Sequence, residues 1–206
     1  AVDYVYHIGK YPVTAGEYTS YLNAVAQSDP NEVYDEPRMS LSQADGPQIA
    51  RSGSSGSYQY TVAAEFENRP MNYVNFPRIL RFTNWLHNGQ PTGAQGLGTT
   101  EDGAYDLTAT SSLFNPDGSF GGGQMIDALL AVTRETDGKW AIPTEDEWYK
   151  AAYHDASAGI VGTYFDYPTG SDSVPDGIDF VGDTTFDAVF HDGAIGAAGF
   201  GPNDIT

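Results

Sequence analysis

The sequence predicts an α+β domain that is rich in loops, with a few helices and short twisted strands. Three observations carry that expectation. Two capping boxes, Thr14 with Glu17 and Thr144 with Glu147, each mark the start of a helix. Apolar and polar residues alternate over short runs, such as Tyr4 to Ile8 and Tyr58 to Val62, at the period of a strand. Between the runs lie many of the 24 glycines and 12 prolines, and 13% of the 206 residues are aromatic, so loops should connect a core built from large rings.

Taken in order, Tyr4 to Ile8 reads as a first strand. In the Thr14 box the hydroxyl accepts from the Glu17 backbone N–H while the glutamate takes the Thr14 N–H. The helix that follows, of about three turns, puts Tyr18, Tyr21, Leu22 and Val25 on one face, the stripe that faces a core. Ser28 to Gln48 is polar, broken by Pro30, Pro37 and Pro47, and reads as loop. Ile49 to Arg51 and Tyr58 to Val62 flank Ser52-Gly53-Ser54-Ser55-Gly56-Ser57, which predicts a hairpin with a flexible tip. That serine run is no nucleophile elbow, which needs Gly-x-Ser-x-Gly between a strong strand and a helix.

Asn75-Phe76-Pro77 opens the next helix, since proline in a first turn lacks only an N–H that has no helical partner. Ile79, Phe82, Trp85 and Leu86 are its expected buried face, and Asn88-Gly89 its left-handed stop. Gln90 to Gly123 reads as an inserted loop region, strand-like only at Ala104 to Leu107. Ala128 to Thr133 and Lys139 to Ile142 predict a β-hairpin around Thr136-Asp137-Gly138. It delivers the chain to Thr144, after which Glu145, Asp146 and Glu147 complement the helix dipole. Trp148, Ala151 and Ala152 then form a narrow apolar face suited to packing on a sheet. Ser171 to Thr206 is acidic loop with a short strand at Ala188 to Phe190.

Composition excludes several functions. Nine basic residues against 28 acidic ones give a net charge of -19, which repels nucleic acid and anionic lipid. No run reaches the about eighteen apolar residues of a membrane span, and the first residues lack the basic and apolar regions of a signal peptide. The absence of cysteine removes disulfides, thiolate metal sites and thiol nucleophiles from these residues. His7, His87, His154 and His191 are scattered and form no His-Glu-x-x-His pair, so a metalloprotease reading has no ligands. The acid surplus suits a solvated extracellular surface, a saline medium or cation sites. Calcium takes oxygen ligands from loops, and Asp176, Asp179, Asp183, Asp187 and Asp192 are the candidate calcium ligands. Aspartates at such spacing also make Asx-turns, and that reading stands beside the first.

Trp140-Ala141-Ile142-Pro143-Thr144-Glu145-Asp146-Glu147-Trp148-Tyr149-Lys150-Ala151-Ala152 resembles the Arg-Leu-Pro-Thr-Glu-x-Glu-Trp-Glu-x-Ala-Ala signature of the formylglycine-generating enzyme, or sulfatase-modifying factor, family. Tyr11-Pro12-Val13-Thr14-Ala15-Gly16-Glu17-Tyr18-Thr19-Ser20-Tyr21-Leu22 is similar to the family's opening Val-Thr-Asn-x-x-Tyr-x-x-Phe, and Arg69-Pro70-Met71-Asn72-Tyr73-Val74-Asn75-Phe76 to its Pro-Val-x-x-Val-x-Trp. Tyr164-Phe165-Asp166-Tyr167-Pro168-Thr169-Gly170 resembles its aromatic-Pro-x-Gly segment. The resemblance implies a fold related to C-type lectin-like domains, with residues 1–206 as one domain that lacks the family's C-terminal part. The family's Gly-Asn-Val-Trp-Glu-Trp and Arg-Gly-Gly-Ser-Trp segments, and the copper-binding cysteine pair of its oxidases, are not among these residues. Where family members hold a calcium with an Ala-Asn pair, this chain has Ala188-Val189.

The resulting expectation is a secreted, non-catalytic module that binds a protein or glycan ligand on its loops. Two alternatives stand beside it. One is a formylglycine-generating oxidase that acts on a sulfatase client with copper and oxygen, if a C-terminal extension supplies the cysteines. The other is a structural subunit that self-associates as a homo-oligomer in an extracellular fibre or surface layer.

Overall fold

The computed structural model of the chain describes residues 2–111, 127–158 and 162–173. They group into two compact units, one of Tyr11–Ile142 and one that joins the residues before Tyr11 to those from Pro143 onward.

The Tyr11–Ile142 unit is built on α1 (Ala15–Val25), whose capping box forms as its sequence dictates. The Thr14 N–H donates to Glu17 Oε2 at 2.8 Å, and the Glu17 N–H donates to Thr14 Oγ1 at 3.1 Å. A cap of this kind is worth about 1 kcal/mol. Tyr18, Tyr21, Leu22 and Val25 are all buried, as the periodicity requires. The start of α1 is fastened to residues 67–71. Ala15 N–H donates to the Arg69 carbonyl, Gly16 N–H to that of Glu67 and Met71 N–H to that of Val13. A Cβ on Gly16 would lie 2.9 Å from the Glu67 carbonyl oxygen, so this approach needs glycine.

The stretch expected to be all loop contains one helical turn, α2 (Glu36–Met39). It is also not wholly superficial, because Val33, Tyr34 and Met39 enter the core. The predicted hairpin forms from β1 (Ile49–Ser52) and β2 (Gln59–Val62), antiparallel, with Ile49 opposite Val62 and Ser52 opposite Gln59. Gly53 and Gly56, at φ +87 and +96, make its tip. Asn23 on α1 satisfies the backbone of β2 from the side. Its Nδ2 donates to the Tyr60 carbonyl at 2.8 Å, and its Oδ1 accepts the Tyr60 N–H at 2.9 Å.

The next helix, α3 (Phe76–His87), starts where the Asn75 side chain accepts the Arg78 N–H and ends before Gly89 at φ +82. Phe82 and Trp85 enter the α1 ring cluster, with Phe82 5.6 Å from Tyr18 and 5.3 Å from Tyr21 between centroids. The buried face is wider than predicted. Leu80, Arg81, Thr83 and Asn84 are buried as well, whereas Ile79 and Leu86 are only partly so. The cause is a second cluster of Leu80, Ala104, Tyr105, Leu107 and Leu129, so α3 is packed on two sides.

Two predicted β segments do not form. Ala104 to Leu107 has no ladder partner among the described residues and leads into α4 (Thr108–Ser111), where Asp106 accepts the Thr108 N–H at 2.9 Å. Residues 127–130 form a helical turn rather than a strand. The Asp137-Gly138 turn exists, with Gly138 N–H on the Glu135 carbonyl, but the flanking segments bond elsewhere. Glu135 N–H donates to the Ala104 carbonyl, Lys139 N–H to His87 Nδ1 and Ile142 N–H to the Tyr105 hydroxyl. A lone two-stranded ribbon has little stability of its own, and these partners take its hydrogen bonds.

In the second unit, α5 (Glu145–Tyr153) carries the other capping box, with Thr144 N–H on Glu147 Oε2 at 2.7 Å and Glu147 N–H on Thr144 Oγ1 at 3.2 Å. Its burial reverses the expectation, for Glu147 is inside while Trp148 is 51% exposed and Ala151 is exposed. The reason is the segment before Tyr11, which forms no strand. It runs along α5 instead. Tyr4 donates to Glu147 Oε1 at 2.6 Å, Tyr6 donates to the Glu147 carbonyl, and Lys150 Nζ donates to the carbonyls of Val2 and Tyr4. Tyr149 stacks on Tyr153 at 4.8 Å and lies 5.1 Å from Tyr164. The predicted strand at Ala188 to Phe190 lies outside the described residues.

Candidate functional site

The end of α1 leads into Ser28-Asp29-Pro30-Asn31-Glu32, a loop that two residues enter in the left-handed region, Asp29 at φ +47 and Glu32 at φ +48. Such conformations are strained for non-glycine residues and persist only where surroundings hold them. Here the Asp29 carboxylate holds them. Its Oδ1 accepts the Val33 N–H and Gln95 Nε2, each at 2.9 Å, and its Oδ2 accepts the Tyr34 N–H at 3.1 Å. Burial pushes the Asp29 pKa up, against the pull of Gln95 and the two backbone donors.

That loop forms one wall of an open cleft of about 350 Å³, and α2, β1, the residue before β2 and the first turn of α3 supply the others. Arg78 of α3 donates through Nε to the Glu32 carbonyl at 2.8 Å and through Nη1 to Asp35 Oδ2 at 3.0 Å. Arg51 of β1 pairs with Glu36, and its guanidinium carbon lies 4.4 Å from the Tyr58 ring centroid and 5.1 Å from that of Tyr34. Tyr34 is itself fixed, because its hydroxyl donates to the Ile49 carbonyl at 2.6 Å. Burial, with the Glu36 charge adding to it, pushes its pKa up to about 12, so it stays a neutral donor.

The cleft thus offers preset donors and acceptors, two guanidiniums and four carboxylates, with neither a thiol nor a histidine among the residues that line it. These groups can form hydrogen bonds and ion pairs with a bound molecule. Sequence reasoning missed it because Ser28 to Gln48 has no period. The available signal was Asp29-Pro30-Asn31, a turn-forming run directly after a helix.

The candidate calcium ligands Asp176, Asp179, Asp183, Asp187 and Asp192 lie outside the described residues. Among the described residues no three His, Cys, Asp or Glu side chains are gathered as a metal site would require. Asp172, just before that stretch, accepts the Asp166 N–H at 2.9 Å and so makes a turn. His87 accepts the Lys139 N–H, and His154 packs edge-on against Tyr164. No helix among the described residues is long and apolar enough to cross a membrane.

Among the described residues, three helices with capped starts, a small antiparallel sheet and long loops define a mixed helix and small-sheet domain of a loop-rich kind. The family model of the sulfatase-modifying factor enzyme 1-like domain matches residues 4–189, and the chain belongs to that family. Neither a curated protein nor a solved structure gives a significant match to it.

Proposed function

We propose that this chain is a non-catalytic binding module of the sulfatase-modifying factor family, secreted, which takes a protein or glycan ligand. The observation that carries this reading is the cleft whose Asp29, Tyr34, Asp35 and Arg78 side chains are already fixed by hydrogen bonds, since a site ordered in advance spends little of its binding energy on ordering. A scaffold related to C-type lectin-like domains, with variable loops on fixed helices, fits the same role. The acid surplus fits an extracellular setting. The natural protein, incubated with a cysteine peptide of sulfatase type, copper and oxygen, is expected to leave the peptide mass unchanged. Conversion of its cysteine to formylglycine would replace this reading with the oxidase, acting through cysteines beyond Thr206.

Self-association is a second reading, favoured by the exposure of Trp148, Tyr149 and Tyr164 at 51%, 45% and 37%. Sedimentation that reports a monomer at every concentration would remove it. Calcium bound by Asp176, Asp179, Asp183, Asp187 and Asp192 is a proposal on the same footing. A ligand held only by the native state contributes about 3 kcal/mol at a hundredfold excess over its dissociation constant, so chelation is expected to lower Tm by several degrees. An unchanged Tm removes the calcium.

A further inference from the structure

The charges of the cleft cancel unevenly. Four carboxylates, Asp29, Glu32, Asp35 and Glu36, and two guanidiniums, Arg51 and Arg78, line it, and Arg38 reaches Asp35 from outside that lining, which leaves an excess of one negative charge. Asp35 pairs with Arg78 and Arg38, and Glu36 with Arg51. Asp29 is taken up by the Val33 and Tyr34 N–H groups and Gln95. Glu32 is different. Its backbone is held in place by Arg78, but its exposed carboxylate has no partner among the described residues.

Three kinds of ligand compete for such a site. An apolar one would cover paired charges without replacing their water, which is unfavourable. A sugar ring would need an open aromatic face, and the guanidinium of Arg51 already lies over both Tyr34 and Tyr58. A cationic group has what the first two lack, because Glu32 supplies an unneutralised counter-charge. The cleft of about 350 Å³ is large enough for one or two side chains. The chain's net charge of -19 would speed the encounter with a basic partner.

We infer that the cleft takes a guanidinium or ammonium group on a basic segment of a partner protein, with the Glu32 carboxylate as its counter-charge. This rests on the binding-module reading above and names the ligand class for it. Steering by the whole negative surface would also attract a basic peptide, so the test must separate a site from a field.

The probe is a fluorescein-labelled peptide of arginines spaced by glycine and serine, titrated by anisotropy into the natural protein at physiological ionic strength. Glu32→Gln, which keeps shape and backbone preference, is expected to weaken binding by about fivefold, the upper range for one exposed ion pair. The double variant Glu65→Gln/Glu135→Gln removes two exposed charges of the same unit that do not line the cleft, and is expected to bind as the wild type does. Equal weakening in both variants, or no binding of the peptide, overturns the inference. An NMR titration of the Arg51 and Arg78 side-chain signals separates the two levels. If a neutral disaccharide moves them and the arginine peptide does not, the cationic ligand falls while the binding module stands; if neither probe moves them, both fall.

Discussion

Glu101→Ala is expected to destabilise the Tyr11–Ile142 unit by about 3–5 kcal/mol, the cost of leaving one member of a buried ion pair without its partner. The carboxylate meets Arg81 as a fork, with Nε on Oε1 at 2.8 Å and Nη2 on Oε2 at 2.9 Å, and the side chains are 8% and 1% exposed. Asn31 Nδ2 and Thr100 Oγ1 donate to the same Oε1, each at 2.9 Å. Arg81 is one of three polar residues, two in α3 and one at its C-terminal cap, that sew the following loop to the helix. Asn84 Nδ2 donates to the carbonyls of Thr100 and Tyr105 while its Oδ1 accepts the Tyr105 N–H, and Asn88 Nδ2 donates to the Asp102 carbonyl at 2.8 Å. Removal of Glu101 therefore takes the carboxylate fork from a buried guanidinium and frees the loop that carries Asn31's partner. For a domain of this size the thermal midpoint should fall on the order of 10 °C. The double variant Arg81→Met/Glu101→Leu should recover most of that, because desolvation of the pair consumes much of what its attraction contributes. A loss below about 1 kcal/mol for Glu101→Ala alone would mean that water reaches the pair and that it behaves as a surface one.

This polar stripe also marks where the sequence could be read and where it could not. Helix starts were legible because they are local. Thr14 with Glu17, Asn75 with the N–H of Arg78, and Thr144 with Glu147 are each settled within four residues. The hairpin of Ile49–Ser52 and Gln59–Val62 was legible for the same reason, its glycines lying between alternating arms. What failed depends on distant partners. Asp137-Gly138 does turn the chain, but only the positions of Ala104, Tyr105 and His87 decide that its flanks do not pair with each other. Periodicity placed Trp148 inside and left Glu147 to cap, whereas the Tyr4 and Tyr6 hydroxyls bring Glu147 inward from more than a hundred residues away in sequence. The buried polar face of α3 did leave a local trace. Asn84, inside the helix, is a side chain that competes with the helix backbone and so calls for a reason to be there. The cleft left less, because Gln95 on Asp29 and Arg78 on Asp35 join segments more than forty residues apart.

Phe82→Ala is the second substitution from which a large effect is expected, again about 3–5 kcal/mol, for a different reason. Phe82 is 7% exposed and sits among Tyr18, Tyr21 and Trp85 at centroid distances of 5.6, 5.3 and 5.8 Å. Truncation opens a cavity that these rings are too rigid to fill. Urea denaturation monitored by tryptophan fluorescence should give a lower midpoint at an unchanged m-value, because the surface exposed on unfolding hardly changes. Tyr21→Phe in the same cluster is the matching control. Tyr21 is fully buried, and its hydroxyl has no hydrogen-bond partner among the described residues, unlike that of Tyr18, which donates to the Val33 carbonyl at 2.7 Å. Burial raises the pKa of Tyr21 well above its ordinary value, so the group is a neutral hydroxyl desolvated without return. Its removal keeps the ring contacts and should leave stability within about 0.5 kcal/mol of the wild type or raise it, whereas Tyr18→Phe should lower it by about 1 kcal/mol. A large loss from Tyr21→Phe would show that the hydroxyl is bonded to an ordered internal water, and the interior between α1 and α3 would then be a hydrated pocket rather than a dry stack of rings.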